Sequence, residues 1–380
     1  MLYVESLYLN IWYNKKNAIL QETLGKHEDQ TFIADIEDGG VSVMVKKRSR
    51  VTLQQVAEHA GVSRATASKV VRGSSNVSDA AREKVFNSMK ELGYIYDRVA
   101  ANLRSNRSNT IGLIITDIRN PYFSDLLIGI HESLDKEGYT VILGTTFDSV
   151  EKQDLLLSTM LEHRVGGILL SPVPGSSPET VERLSQFDIP IVLAARRITT
   201  DHQFDYVGID NVEGAKLAVQ HLVAKGHQRI AFIGGPSNSS AWQERTEGYC
   251  LALLEAGIPV DEALIKEGPT TRQGGYETIR KVLEQPDPPT AIFCYNDIIA
   301  LGALTYLDEI GIKPGQHISI VGFDDIQEAS MTPPGLSTIA AHPQQIGAYA
   351  ANLLHQRISG LAGPPQQIIL SPDLIVRGTT

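Results

Sequence analysis

The sequence predicts an α/β protein in two parts: a small helix-turn-helix headpiece of three helices, then a much larger body built on parallel sheets. Three observations predict it. Positive charge is gathered into one short region of an acidic chain. Inside that region three capped, amphipathic helices follow one another, the first two separated by Gly61-Val62-Ser63. From Ile111 onward, short apolar runs alternate with amphipathic helical stretches, the pattern of strands and crossover helices.

The chain has 380 residues and a net charge of −10, long enough for two or three domains. Met44 to Ser108 carries 13 basic and 5 acidic residues, a net of +8; Met1 to Val43 has a net of −4, and the remainder from Asn109 a net of −14. A basic module on an acidic body points to one part that meets a polyanion and another that does not. The first stretch, "MLYVESLYLNIWYNKKNAIL", is broken by Glu5, Ser6, Asn10 and Asn14, so no membrane span is expected. Lys15 and Lys16 follow the apolar part, the wrong order for a signal peptide. Cys250 and Cys294 show no disulfide or metal-ligand spacing, and the expected compartment is the cytoplasm.

Residues 1–43 show no sustained helical or alternating period. Two readings stand: a real, poorly ordered extension, or upstream sequence ahead of a true start at Met44 in "MVKKRSRVT".

Residues 44–95 form the basic module. Thr52 and Gln55 make a capping-box pattern. Leu53, Val56, Ala57 and Ala60 recur at helical spacing, and Gly61 ends that helix. Ser63 caps a second helix with Ala67, Val70 and Val71 inward. Ser78 caps a third, with Ala81, Val85, Met89 and Leu92 inward and Gly93 as its stop. Two short helices joined through Gly are a helix-turn-helix. The second fits the major groove, with its N-terminal side chains nearest the base edges. Arg64, Ala65 and Lys69 occupy its outward face: Arg64 and Lys69 are donors for guanine, and Ala65 offers apolar contact. Thr52, Ser63, Thr66 and Asn76 are short phosphate donors, and Arg72 adds charge. A solvated positive face on a small bundle has the same composition, but the order of cap, apolar helix, turn and capped basic helix favours DNA.

"VTLQQVAEHAGVSRATASKVVRG", "VSDAAREKVFNSMKELGY" and the later "GFDD" resemble the LacI/GalR family of bacterial transcriptional regulators, over about residues 50–380. "GGPSNSSAWQERTEGYC" and "FCYNDIIALGAL" resemble its maltose-regulon branch. The resemblance implies a homodimer on a palindromic double-stranded operator, with affinity set by a small molecule. It also implies a hinge at 96–108. Arg98 to Arg104 spans about two turns, too short to be stable alone in water; in the family such a segment folds on DNA, and Leu103 matches a leucine that wedges into the minor groove. Arg98 and Arg104 flank it. Tyr96 stands where the family usually has proline, which leaves the hinge entry less restrained.

For the body the resemblance implies two lobes like those of periplasmic sugar-binding proteins. The first is expected at 109–208 plus about 339–367, the second at 209–338 plus about 368–380. Apolar runs such as "TIGLIIT", "VGGILLS", "RIAFIGG" and "ISIVGFD" read as buried strands. Ligands of such folds sit beyond the carboxyl ends of the strands. The residues there include Asp117, Asn120, Tyr122, Phe123, Arg196, Arg197, Trp242, Arg245, Asn296, Asp297, Asp324 and Asp325. Rings beside planar polar groups suit a sugar or sugar derivative. By resemblance Arg245, Asn296 and Asp324 match effector-contacting positions, and Tyr122 and Phe123 match an "NPYF" loop. Arg196 and Trp242 complete the expected set, with rim packing the alternative for Trp242. Asp297 and Asp325 read better as capping or loop-closing groups. Ala195 stands where many relatives have aspartate, and Thr270 where several have a cleft aromatic.

An enzyme is disfavoured. "IGGPSNSS" lacks a phosphate-loop lysine, no nucleophile elbow or HExxH occurs, and His163, His221, His227 and His342 are scattered. No catalytic residue, cofactor or metal is expected. A transport protein with the same body would carry a leader and no basic headpiece. Inducer or corepressor control stays open. No leucine heptad follows Val376, which favours a dimer.

Overall fold

The computed structural model describes residues 51–71, 76–94, 108–176, 180, 184–198 and 204–380, and the backbone alone of 30–37 and 40–47. The chain divides into two compact units, Met1–Arg104 and Ser105–Thr380.

Among the described residues, the first unit begins with an antiparallel hairpin, β1 (Gln30–Glu37) and β2 (Gly40–Lys47), with Phe32 opposite Val45. Residues 1–43 show no sustained alternating period in the sequence, yet β1 and the start of β2 fall among them. Val41, Val43 and Val45 alternate with polar or larger residues, and Asp38-Gly39 separates the two runs, a strong hairpin signal. The uneven run Thr31-Phe32-Ile33-Ala34 hides the two-residue period.

Three helices follow: α1 (Leu53–His59), α2 (Arg64–Val71) and α3 (Asp79–Leu92). The Thr52–Gln55 capping box forms in both directions, Ser63 accepts from the Thr66 N–H at 3.0 Å, and Ser78 from Ala81. Gly61 and Gly93 take positive φ, 64° and 66°, where a side chain would be strained. Val56, Ala57, Ala67, Val70 and Val85 form a small buried core.

The second unit holds two six-stranded sheets. In chain order it runs β3 (Thr110–Ile115), α4 (Pro121–Lys136), β4 (Thr140–Thr145), α5 (Val150–Glu162), β5 (Gly167–Leu170), β6 (Ile191–Ala194), β7 (Asp205–Ile209), α6 (Asn211–Ala224), β8 (Ile230–Ile233), α7 (Ser240–Glu255), β9 (Ile265–Lys266), α8 (Arg272–Leu283), β10 (Ala291–Cys294), α9 (Asp297–Glu309), β11 (Ser319–Asp324), α10 (Gln327–Met331), β12 (Ser337–Ala340), α11 (Pro343–Ile358), β13 (Gln367–Leu370) and β14 (Asp373–Ile375). The first sheet, β13-β7-β6-β5-β3-β4, is wholly parallel. The second, β14-β12-β11-β10-β8-β9, is parallel except where β14 meets β12. Strands such as β5, β6, β8 and β10 are buried along their whole length. That explains their continuous apolar character: helices cover both faces.

The chain crosses between sheets after β7, β12 and β13. β12 extends the second sheet to Ala340, and β13 keeps 367–370 in the first, so the final return falls at Asp373, not near 368. These short strands are set by partner hydrogen bonding, such as Gln367 opposite Tyr206, which no local pattern records. α11 lies backbone to backbone with α4. A Cβ on Gly129 would overlap the Gln344 carbonyl, and one on Gly347 the Leu126 carbonyl. Arg357 then ties the end of α11 to Asp205 at the start of β7 through two hydrogen bonds of 2.8 and 2.9 Å.

Candidate functional site

Two surfaces carry the expected residues. On α2, Arg64, Ala65 and Lys69 are exposed while Ala67 and Val70 are buried. The cap at Ser63 fixes where the helix begins and so which side chains lead it. Thr52, Ser63 and Asn76 are exposed and Thr66 is half-buried. Arg72, Arg98, Leu103 and Arg104, with the hinge 96–107, lie outside the described residues.

In the second unit a cleft of about 590 Å³ lies beyond the carboxyl ends of both sheets, with Asn120, Phe123, Arg196 and Asn296 on its walls. Tyr122, Arg245 and Asp324 line a narrower recess continuous with it through Phe123, Arg196 and Asn296. The structure therefore brings together six of the seven expected side chains. Trp242 is the exception. Its indole N–H donates to the Gly234 carbonyl at 3.1 Å, and its ring packs 5.9 Å from Phe232. It is held as packing at the rim, absent from the lining, because its position on the first turn of α7 turns the ring toward β8.

Arg245 is the most constrained group. Nε donates to Asn211 Oδ1 at 2.9 Å, Nη1 donates to the Tyr295 carbonyl, and Nη2 lies 3.9 Å from Asp324 Oδ1. Its guanidinium stacks 3.6 Å from the Phe323 ring centroid. Held on three sides, it is pre-organised to present remaining donors. Asn296 caps α9 by accepting from Ile299 N–H at 3.1 Å, which leaves its amide N–H₂ for a ligand. Arg196 pairs with Asp148 at 3.0 Å.

Burial pushes the Asp324 carboxyl up to about 7, against the pull of Arg245 and Arg196. Burial also raises Asp297 far above the carboxylate range, Asp324 adding to it. Asp297 accepts from Thr338 Oγ1 at 2.6 Å and from Ile326 N–H at 3.0 Å: it closes the loop beneath the site. Asp325 pairs with Arg377 at 2.7 Å.

Sequence reasoning missed Phe147 and Asp148, which line the cleft after β4 with φ of 51° and 58°. The strand-end rule applied to "TIGLIIT" would have found them after "YTVILGTT". It also missed Asn211 and Glu244. Asn211 Nδ2 donates to Glu244 Oε2 at 2.7 Å, and Glu244 meets Arg197 at 3.5 Å; only tertiary packing joins them.

A family model described as periplasmic binding proteins and sugar binding domain of the LacI family matches residues 108–373, and one for bacterial regulatory proteins of the lacI family matches 52–97. The chain is 35% identical to the HTH-type transcriptional repressor PurR of Erwinia tasmaniensis over 86% of this chain and 96% of that one.

The protein belongs to the LacI family.

Among solved structures, this LacI-family chain is similar to a CelR–cellobiose complex, at 32% identity and TM-score 0.67, over 87% of this chain and all of that one. It is also similar to the lac repressor dimer bound to operator and an anti-inducer, at 30% identity and TM-score 0.77, over 87% and 99%. These relatives are transcriptional regulators, not enzymes, and a LacI-family chain is a transcriptional regulator responsive to a small-molecule effector. Among the described residues no helix is long and apolar enough to cross a membrane.

Proposed function

We propose that this chain is a cytoplasmic, dimeric repressor whose headpiece reads a palindromic operator and whose cleft senses a saccharide. The observation that carries the sugar reading is the recess where Arg245, Asn296, Arg196 and Asp324 converge beside Tyr122 and Phe123. Four planar polar groups address hydroxyls and the rings address the apolar face of a pyranose. The cellobiose held by the CelR relative supports the same class. Arg64, Ala65 and Lys69 contact bases; Thr52, Ser63, Thr66 and Asn76 contact phosphates; Arg72, Arg98, Leu103 and Arg104 complete the DNA surface.

A thermal-shift screen of saccharides selects the ligand, because binding to the folded state alone raises its melting temperature. Fluorescence anisotropy on labelled operator then reads control: release marks an inducer and tighter binding a corepressor. Arg64→Ala is expected to cost about 1–3 kcal/mol at one operator position. A uniform loss over all sequences would make Arg64 a phosphate contact. No saccharide that both shifts melting and alters operator affinity would end the sugar reading.

A further inference from the structure

The ribbon β1–β2 is polarised along its length. Its only cations, Lys46 and Lys47, are the last two residues of β2, while Asp35 and Glu37 stand at the far end, beside the Asp38-Gly39 turn. We propose that Lys46 and Lys47 form an accessory arm on the phosphate backbone of duplex DNA, beside the stretch that the headpiece itself covers; this rests on the DNA reading of the headpiece.

The tether is the first ground. Four residues separate Lys47 from Thr52, the N-cap of α1 and a phosphate contact in the DNA reading. A fully extended chain advances about 3.4 Å per residue, which keeps Lys47 within about 17 Å of Thr52. Phosphates of one strand recur every ~3.4 Å along the duplex axis. Docking the headpiece therefore brings both lysines within about five or six phosphates of Thr52, and contact from there is intramolecular.

Charge is the second ground. From Lys46 to Ala57 the sequence holds four cations, Lys46, Lys47, Arg48 and Arg50, and no acid. The first turn of α2 carries no acid either. Glu28 and Asp29 precede β1, and against the four cations they leave the open end of the ribbon a net of +2.

Register is the third. Lys46 and Lys47 stand opposite Thr31 and Gln30, both uncharged, so no carboxylate is their cross-strand partner. Successive strand residues belong to opposite faces, which puts one lysine on each. Whichever face the ribbon turns to the headpiece, a cation remains for the duplex. Asp35, the nearest acid of the ribbon, pairs with Ser42, which lies about 14 Å from Lys46 along β2. That exceeds the Debye length of about 10 Å at 0.1 M salt. The acids at the turn therefore do not cancel the lysines, and their sign orients the ribbon with its open end toward the duplex.

The test is salt-dependent fluorescence anisotropy of the intact chain on a labelled duplex of arbitrary sequence, at and above about 0.1 M salt. Each neutralised phosphate contributes about 0.9 to the slope of log affinity against log salt. Lys46→Gln with Lys47→Gln is expected to reduce that slope by about 2 per chain. Lys46→Arg with Lys47→Arg should keep the wild-type slope, and unfolding midpoints report that both variants fold. Asp35→Asn with Glu37→Gln should leave the slope unchanged. Equal slopes in the wild type and the glutamine variant overturn the inference while the DNA reading stands. A slope reduced in the arginine variant as well overturns it too, since a disturbed headpiece and not a missing charge is then the cause. A slope steepened by neutralising Asp35 and Glu37 puts the turn end on the duplex and refutes the orientation. A wild type that binds no duplex overturns both the inference and the DNA reading.

Discussion

Asp324→Asn separates what a buried carboxylate does for the ligand from what it costs the fold. The group is 5% exposed, and burial holds its pKa at about 7 where 3.8 is ordinary. The native state then keeps a proton that the unfolded chain has already lost. The contribution of this group to stability is therefore greatest below pH 4, falls as pH rises toward 7, and is level above that. Each pH unit in that window is worth about 1.4 kcal/mol, so from pH 5 to pH 8 the wild type loses roughly 2–3 kcal/mol at this one residue. Asparagine has nothing to ionise. The variant should be the more stable protein at pH 8, and its lead should shrink by roughly 2–3 kcal/mol at pH 5. Asp297 is present in both proteins; removing the Asp324 charge eases the ionisation of its neighbour, which acts in the same direction. Urea unfolding at one fixed chain concentration measures the difference, since association makes apparent stability depend on concentration. At pH 8, where Asp324 is ionised, the same substitution should weaken saccharide binding about 10-fold or more, because hydrogen bonds to a charged acceptor are worth about 1.5–3 kcal/mol. A stability gap that stays constant from pH 5 to pH 8 would refute the reasoning.

Gly347→Val drives a side chain into the Leu126 carbonyl and is expected to cost about 1–3 kcal/mol, as overpacking does; an unchanged melting midpoint would mean that α4 and α11 can part without penalty. Glu244→Gln removes the charge that joins Arg197, which also donates to Gln367 at 2.7 Å, to Asn211 and through it to Arg245. Because that chain links groups on the two sides of the cleft, the substitution should reduce the fold-change in operator affinity on ligand addition more than it reduces ligand affinity itself. Equal effects on both, measured by calorimetry and operator anisotropy, would make Glu244 a binding residue and not a coupling one.

How much of this was legible in the sequence follows from where each instruction is stored. The headpiece is written locally. A cap at Thr52, a stop at Gly61 and a cap at Ser63 act within four residues of themselves, and together they decide that Arg64, Ala65 and Lys69 face outward. The buried parallel strands are nearly as local, since burial on both faces needs unbroken apolar runs. β12 and β13 are different: their membership is decided by a strand far away in sequence, and so the lobe boundaries fell a few residues from their expected places. The cleft divides along the same line. Strand-end geometry nominated a longer list, because a loop after a parallel strand must open on that side of the sheet, and the family resemblance singled out Tyr122, Phe123, Arg245, Asn296 and Asp324 within it. It was not enough to reject Trp242, whose ring direction depends on packing against β8. Nor does it show strain. Phe147, Asp148, Ala195, Asp324 and Asp325 all hold positive φ without being glycine, and all lie at strand ends around the cleft. Such conformations each cost about 1–3 kcal/mol, and a folded chain keeps five of them together only where the surroundings over-determine the backbone. Ala195, which stands where many relatives have aspartate, belongs to that strained set: it lines the recess with φ at 68°, next to Arg196, whose guanidinium is held by Asp148 at 3.0 Å.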